Sequence, residues 1–118
     1  MTKILVIDDE LIFRDVMYDY LTRQSYEVLL ADDAAKALEV AKEVKPDLAL
    51  VDIRLPKESG IDLTVKLKEL YPDLIIVIMT GYPSLDTAVN ALKNGASEYI
   101  IKPFRLVELN KIIEKYVG

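Results

Sequence analysis

The chain has 118 residues, 52% of them apolar and 30% charged, which suits one soluble globular domain and excludes a disordered tract. A net charge of −5 with no basic cluster argues against this domain gripping a nucleic-acid backbone by itself. Cysteine and histidine are both absent, which excludes disulfide staples, Cys/His zinc sites, thiolate nucleophiles and Ser-His-Asp machinery.

Lys3 to Asp8 is an apolar strand that runs into the acidic cluster Asp8, Asp9 and Glu10. It starts at once, with no basic-then-apolar leader, and no apolar run approaches membrane-spanning length. The expectation is a cytoplasmic domain with no membrane contact. From Leu11 to Gln24, Phe13, Val16, Met17, Tyr20 and Leu21 recur at three- and four-residue spacing, the period of an amphipathic helix. Tyr26 to Ala31 reads as a short strand. Asp32 or Asp33 then caps a helix whose inner face is Ala34, Ala37, Leu38, Ala41 and Val44.

Lys45-Pro46-Asp47 ends that helix and leads into Leu48 to Val51, a strand apolar throughout, which delivers one carboxylate, Asp52. Pro56 and Gly60 punctuate the next loop, and Ser59 offers an N-cap to a helix with Leu63, Leu67 and Leu70 inward. Leu74 to Met79 is another all-apolar strand, closing on Thr80 and Gly81. Ser84 starts a helix with Leu85, Ala88, Val89 and Leu92 expected inward, and Asn94-Gly95 supplies its left-handed stop. Ser97 to Ile101 is the last strand, ending at Lys102-Pro103. Leu106, Leu109, Ile112, Ile113 and Tyr116 stripe the final helix.

Five strands thus alternate with five helices, with no linker or low-complexity tract, and 1–118 is one domain. Strands that are apolar at every position imply a parallel sheet covered on both faces, hence a three-layer α/β/α sandwich. Right-handed crossovers put all the strand C-termini on one edge, where open α/β sheets bind ligands.

That edge collects Asp8, Asp9, Asp52, Thr80 and Lys102. Two carboxylates about 5 Å apart at an effective dielectric near 20 repel by roughly 3 kcal/mol. One lysine cannot neutralise three of them, so the cluster invites a hard divalent cation, and Mg²⁺ suits a site that keeps several waters. Without a histidine base, the chemistry these parts serve is a carboxylate attacking a phosphoryl group. The cation, an ammonium and a hydroxyl would then stabilise its equatorial oxygens.

Jointly, Asp8-Asp9, the segment from Asp52 through Pro56 to Gly60, Thr80-Gly81, Tyr99 and Lys102-Pro103-Phe104 resemble a receiver domain of a two-component response regulator. The chain is similar to chemotaxis-regulator-like and nitrogen-regulation-type receivers, and the likeness covers essentially the whole chain. It implies a flavodoxin-like five-stranded sheet in the order 2-1-3-4-5. It implies that Asp52 is both the phosphoacceptor and a Mg²⁺ ligand, that Asp9 binds Mg²⁺ directly and Asp8 mainly through water, and that the Arg54 backbone carbonyl completes the protein's share of the metal shell. Thr80 would bind a phosphoryl oxygen, Lys102 would pair with the phosphate, Tyr99 would be a rotameric reporter, and Lys102-Pro103 resembles the family's cis peptide bond.

The implied activity is a switch that catalyses its own Mg²⁺-dependent phosphorylation and dephosphorylation rather than a metabolic conversion. Its phosphodonor would be a sensor histidine kinase or a histidine phosphotransfer domain. A homodimer, an output domain or a downstream partner would dock on the 84–116 surface. Leu55 stands where Met is common in the family, and Arg54 and Tyr82 fill variable positions beside the site, where their bulk points to a long-lived phosphate.

Other readings fit less well. A flavin binder of the same fold needs a hydroxyl- and Gly-rich loop where Asp8-Asp9-Glu10 stands. A haloacid-dehalogenase-type phosphatase expects a second acid where Arg54 stands. A degenerate receiver that only binds partners would not keep the whole residue set.

Overall fold

The computed structural model describes residues 1–117; Gly118, the last residue of the expected 1–118 domain, lies outside them. Strands and helices alternate: β1 (Lys3–Ile7), α1 (Leu11–Arg23), β2 (Glu27–Ala31), α2 (Ala34–Glu43), β3 (Leu48–Asp52), α3 (Gly60–Leu70), β4 (Ile75–Thr80), α4 (Leu85–Lys93), β5 (Glu98–Ile101) and α5 (Leu106–Val117). All neighbouring strands pair in parallel, in the order β2-β1-β3-β4-β5 expected from the resemblance.

Because successive strand residues face opposite ways, the sheet divides the core in two. Leu5, Ile7, Ala49, Val51, Ile76 and Ile78 pack with α2 and α3, and Ala91 of α4 joins them. Ile4, Val6, Leu48, Leu50, Val77 and Met79 pack with α1 and α5, chiefly Met17, Leu21, Leu109 and Ile113. The strands β1, β3 and β4 are buried almost throughout, whereas β2 at the sheet's edge is mostly half-buried. Among the described residues no helix is long and apolar enough to cross a membrane.

Three helices begin on the expected side-chain caps, each worth roughly 1 kcal/mol. Of the two candidate acids before α2 it is Asp33 that caps, accepting from the Lys36 N–H. Ser59 accepts from Asp62 N–H at the start of α3, and Ser84 from Thr87 N–H at the start of α4. Gly95 after α4 has φ of 110°, the positive-φ stop that Asn94-Gly95 foretold.

One helix turns out otherwise than its periodicity predicts. On α4, Leu85, Val89 and Leu92 face solvent at 79%, 40% and 50% exposure, and it is Ala91 that meets the core. Hydrophobic spacing marks the apolar side of a helix but not whether the same domain covers it. Here a small residue lets the helix lie close to the sheet, and the larger ones point away. Val16 of α1 is likewise exposed rather than inward.

Candidate functional site

The sheet order does the assembling. Ile7 of β1 pairs with Val51 of β3, so the next residues, Asp8 and Asp52, leave two adjacent central strands side by side. Asp52 pairs with Met79 of β4, which puts Thr80 one step further along the same rim. Thr80 in turn pairs with Ile101 of β5, and Lys102 follows it. The chain winds one way from β1 to β2 and the other way from β3 onward, so this rim is the topological switch point.

Carboxylate oxygens of Asp8, Asp9 and Asp52 lie within 4.8 Å of one another. Their surroundings differ. Asp8 is wholly buried, with Oδ2 held by Lys102 Nζ at 2.6 Å and Oδ1 accepting from the Glu10 N–H at 2.9 Å. Asp9 is exposed, and no hydrogen bond or ion pair engages its carboxylate among the described residues. Asp52 is 8% exposed, 3.8 Å from Lys102 Nζ, and its Oδ1 accepts from the Arg54 N–H. A cavity of about 370 Å³ opens above them, walled by Asp9, Asp52, Arg54, Gly81, Tyr82 and Lys102 among others.

The Asp52 carboxyl is pushed up to about 6, first by burial and next by the Asp8 charge, with Asp9 adding a little. Lys102 and the Arg54 N–H pull it back only in part. The donor set is oxygen only and retains negative charge after Lys102 is counted, which fits a hard divalent cation. Asp9 has the free carboxylate for direct ligation, whereas both Asp8 oxygens are already engaged.

Thr80 is buried, and its Oγ1 accepts from the Tyr82 N–H at 3.0 Å. Tyr99 is half-buried on β5, and its hydroxyl is enclosed without a hydrogen-bond partner among the described residues. Lys102-Pro103 is cis. The Arg54 guanidinium lies 3.9 Å from the centroid of the Tyr82 ring, so the two bulky residues stack across the cavity mouth rather than merely flanking it.

Two contributors escaped the sequence reading. Gly60, read as loop punctuation, is where α3 meets the acidic strand. A Cβ built there would sit 2.2 Å from the Asp52 carbonyl oxygen, while the Gly60 N–H donates to the Ile53 carbonyl at 2.8 Å. Phe13, read as core-facing helix, lies under Lys102, with its ring centroid 4.2 Å from Nζ. Gly60 opening a helix behind a capping serine was a signal available in the sequence; nothing local to Phe13 was.

The family model for the response regulator receiver domain matches residues 4–114. The regulatory protein AtoC of Escherichia coli (strain K12) is 35% identical over 115 residues, which cover 98% of this chain and 25% of that protein. The chain therefore spans about a quarter of that relative's length. Among solved structures, a CheY-like response regulator receiver domain protein from Methanospirillum hungatei JF-1 superposes with a TM-score of 0.94. It is 34% identical, and the match covers 98% of this chain and 92% of that one. A response regulator protein from Burkholderia pseudomallei, described with a phosphorylated aspartic acid, calcium ion and citrate, gives 0.88 at 32% identity. That match covers 99% of this chain and 74% of the other.

Proposed function

The chain belongs to the response regulator receiver domain family, and from that premise we propose that Asp52 is the side chain that takes the phosphoryl group. The domain is a phosphoacceptor module of two-component signalling, and membership implies a histidine kinase as its partner. One observation carries the assignment. Of the three clustered carboxylates, Asp52 alone ends a buried strand beside both the Lys102 ammonium and the free carboxylate of Asp9.

In the proposed reaction an Asp52 oxygen attacks phosphorus in line. A phosphorus–oxygen bond forms as the phosphorus–nitrogen bond of a phosphohistidine breaks, and the departing ring nitrogen keeps the electron pair and takes a proton. Asp52 needs no base, because a carboxyl near 6 is mostly ionised at neutral pH. Lys102, 3.8 Å from Asp52, meets a transferring oxygen. The Thr80 hydroxyl, given up by the Tyr82 N–H, can donate to another. Asp9 directly, Asp8 through water and the Arg54 carbonyl would hold Mg²⁺, which supplies positive charge beside those oxygens when bound. The phosphorylated aspartic acid and calcium ion described for the Burkholderia pseudomallei relative support the same pairing of acceptor and cation here.

The readout we assign to Tyr99 and the 84–116 surface. The Tyr99 hydroxyl makes no hydrogen bond among the described residues, so no protein polar contact among them ties the ring to its present place when Thr80 moves. Beside it, Leu85, Val89, Leu92, Ile101 and Val107 are exposed apolar side chains available to a second copy, an output domain or a downstream protein. The net charge of −5 argues against nucleic-acid contact by this domain itself.

Intact mass after incubation with Mg²⁺ and a small phosphodonor tests the acceptor. We expect a gain of one phosphoryl group, lost in Asp52→Ala and lost with chelator. Labelling of Asp52→Ala at the parent's level refutes the assignment.

A further inference from the structure

Among the described residues Lys102 is the one ammonium paired with the acidic cluster, and it sits on a flexible four-carbon stem. Its Nζ is 2.6 Å from Asp8 and 3.8 Å from Asp52, and the residue lines the same cavity as Asp52. The tighter of these two pairs is the one with Asp8. A further acid placed to steady it would add negative charge where a phosphodonor, itself anionic, has to enter. The third contact is of another kind. The Phe13 ring lies 4.2 Å below Nζ, and Phe104 braces that ring edge-on, with centroids 6.1 Å apart and planes at 88°. The negative face of an aromatic ring attracts an ammonium yet carries no net charge.

We infer that Phe13 is a positioning residue for the phosphoryl transfer, an uncharged seat that holds the Lys102 ammonium in place beside Asp8 and within 4 Å of Asp52. Phe13 touches neither the acceptor nor any carboxylate of the cluster among the contacts described, so it acts through Lys102. Its position on α1 supports this. Phe13 is only half-buried, and a cavity of about 420 Å³, lined also by Val16, Met17, Phe104 and Leu106, opens beside it. A residue needed only for core packing would be enclosed, as Met17 one turn further on is. The inference rests on the reading of Asp52 as phosphoacceptor.

The experiment compares phosphorylation rates with phosphoramidate and Mg²⁺ in the parent, Phe13→Leu and Phe13→Tyr, each also in a Lys102→Ala background. Phe13→Leu keeps apolar bulk and loses the ring face, and should slow labelling about fivefold, equivalent to about 1 kcal/mol. Phe13→Tyr keeps the face and should stay within about twofold of the parent. In the Lys102→Ala background Phe13→Leu should have no further effect, because the ring then has nothing to seat. An unchanged rate in Phe13→Leu, a Phe13→Tyr as slow as Phe13→Leu, or the same fivefold loss without Lys102 each overturns the inference while Asp52 labelling stands. A parent that takes up no phosphoryl group refutes the Asp52 reading itself, and this inference with it.

Discussion

Asp52→Asn should make the metal-free protein more stable at neutral pH. An acid whose folded-state pKa is raised binds its proton more tightly folded than unfolded, so stability falls as pH climbs through the interval between the two values. For Asp52 that interval runs from the ordinary aspartate value of 3.8 to about 6, with burial as the first cause and Asp8 as the second. A shift of about two units costs on the order of 3 kcal/mol once pH exceeds the folded value. Asparagine keeps the shape and can still accept from the Arg54 N–H, but carries no charge to desolvate or to repel Asp8. In a domain of this size the variant should melt about 10 °C above the parent at pH 7.5 with chelator present. The gap should close as pH falls through 6 toward about 4, where both side chains are neutral. It should also shrink with Mg²⁺ at pH 7.5, because a bound cation offsets the repulsion that asparagine removes. Thermal or urea melts of both proteins across this pH range decide the matter. Equal stability at pH 7.5 without metal, or a gap of constant size from pH 4 to 8, would refute the argument that buried like charge strains this rim.

Mg²⁺ titration followed by NMR shifts should separate the two N-terminal acids. Asp8→Ala should weaken binding by the roughly 10–100-fold typical of groups that orient a ligand, and Asp9→Ala by more; equal losses would take Asp9 out of the metal shell. Opening the stack across the cavity mouth by Tyr82→Ala should speed loss of phosphate about two- to fivefold, since an exposed cation–π contact contributes about 0.5–1 kcal/mol. A rate unchanged or slower counts against shielding. Gly60→Ala forces a Cβ against the Asp52 carbonyl and should cost about 1–3 kcal/mol together with slower phosphorylation. Gly81→Ala, whose Cβ meets nothing within 4 Å, should melt close to the parent; similar melting of the two variants would deny the close approach. Beryllofluoride, a phosphate mimic, should shift backbone NMR signals from 84 to 112 as well as those around Asp52. Changes confined to the rim would sink the Tyr99 readout and leave the acceptor intact.

The rim was legible because its information is local and repeated. Asp8, Asp52, Thr80 and Lys102 each follow an apolar run at or next to a strand's last residue, and parallel topology alone then gathers them on one edge. Boundaries moved by a residue or so, as when β1 stops at Ile7 before Asp8, and β4 takes in Thr80. What stayed hidden depends on which faces meet in space. The stripe of Leu85, Val89 and Leu92 has the right period for a core-facing helix, yet the fold buries Ala91 instead. Arg54 and Tyr82 were placed beside the site by their strand ends, but their stacking needs the heights of two loops. Phe13 and Lys102 are far apart along the chain, and no pattern in either segment announces the other.

The bond between Asp8 and Lys102 joins residues 94 apart, from the first strand to the end of the last. The reaction centre is therefore a closure, made only when β5 has docked on β4 at the edge of the sheet. A chain still emerging from the ribosome carries the Asp52 carboxylate long before it carries the ammonium that meets the phosphoryl oxygens. A copy whose final strand and helix have come loose loses Lys102 and the 84–116 surface together, so the proposed acceptor site and the proposed docking surface depend on one and the same piece of chain.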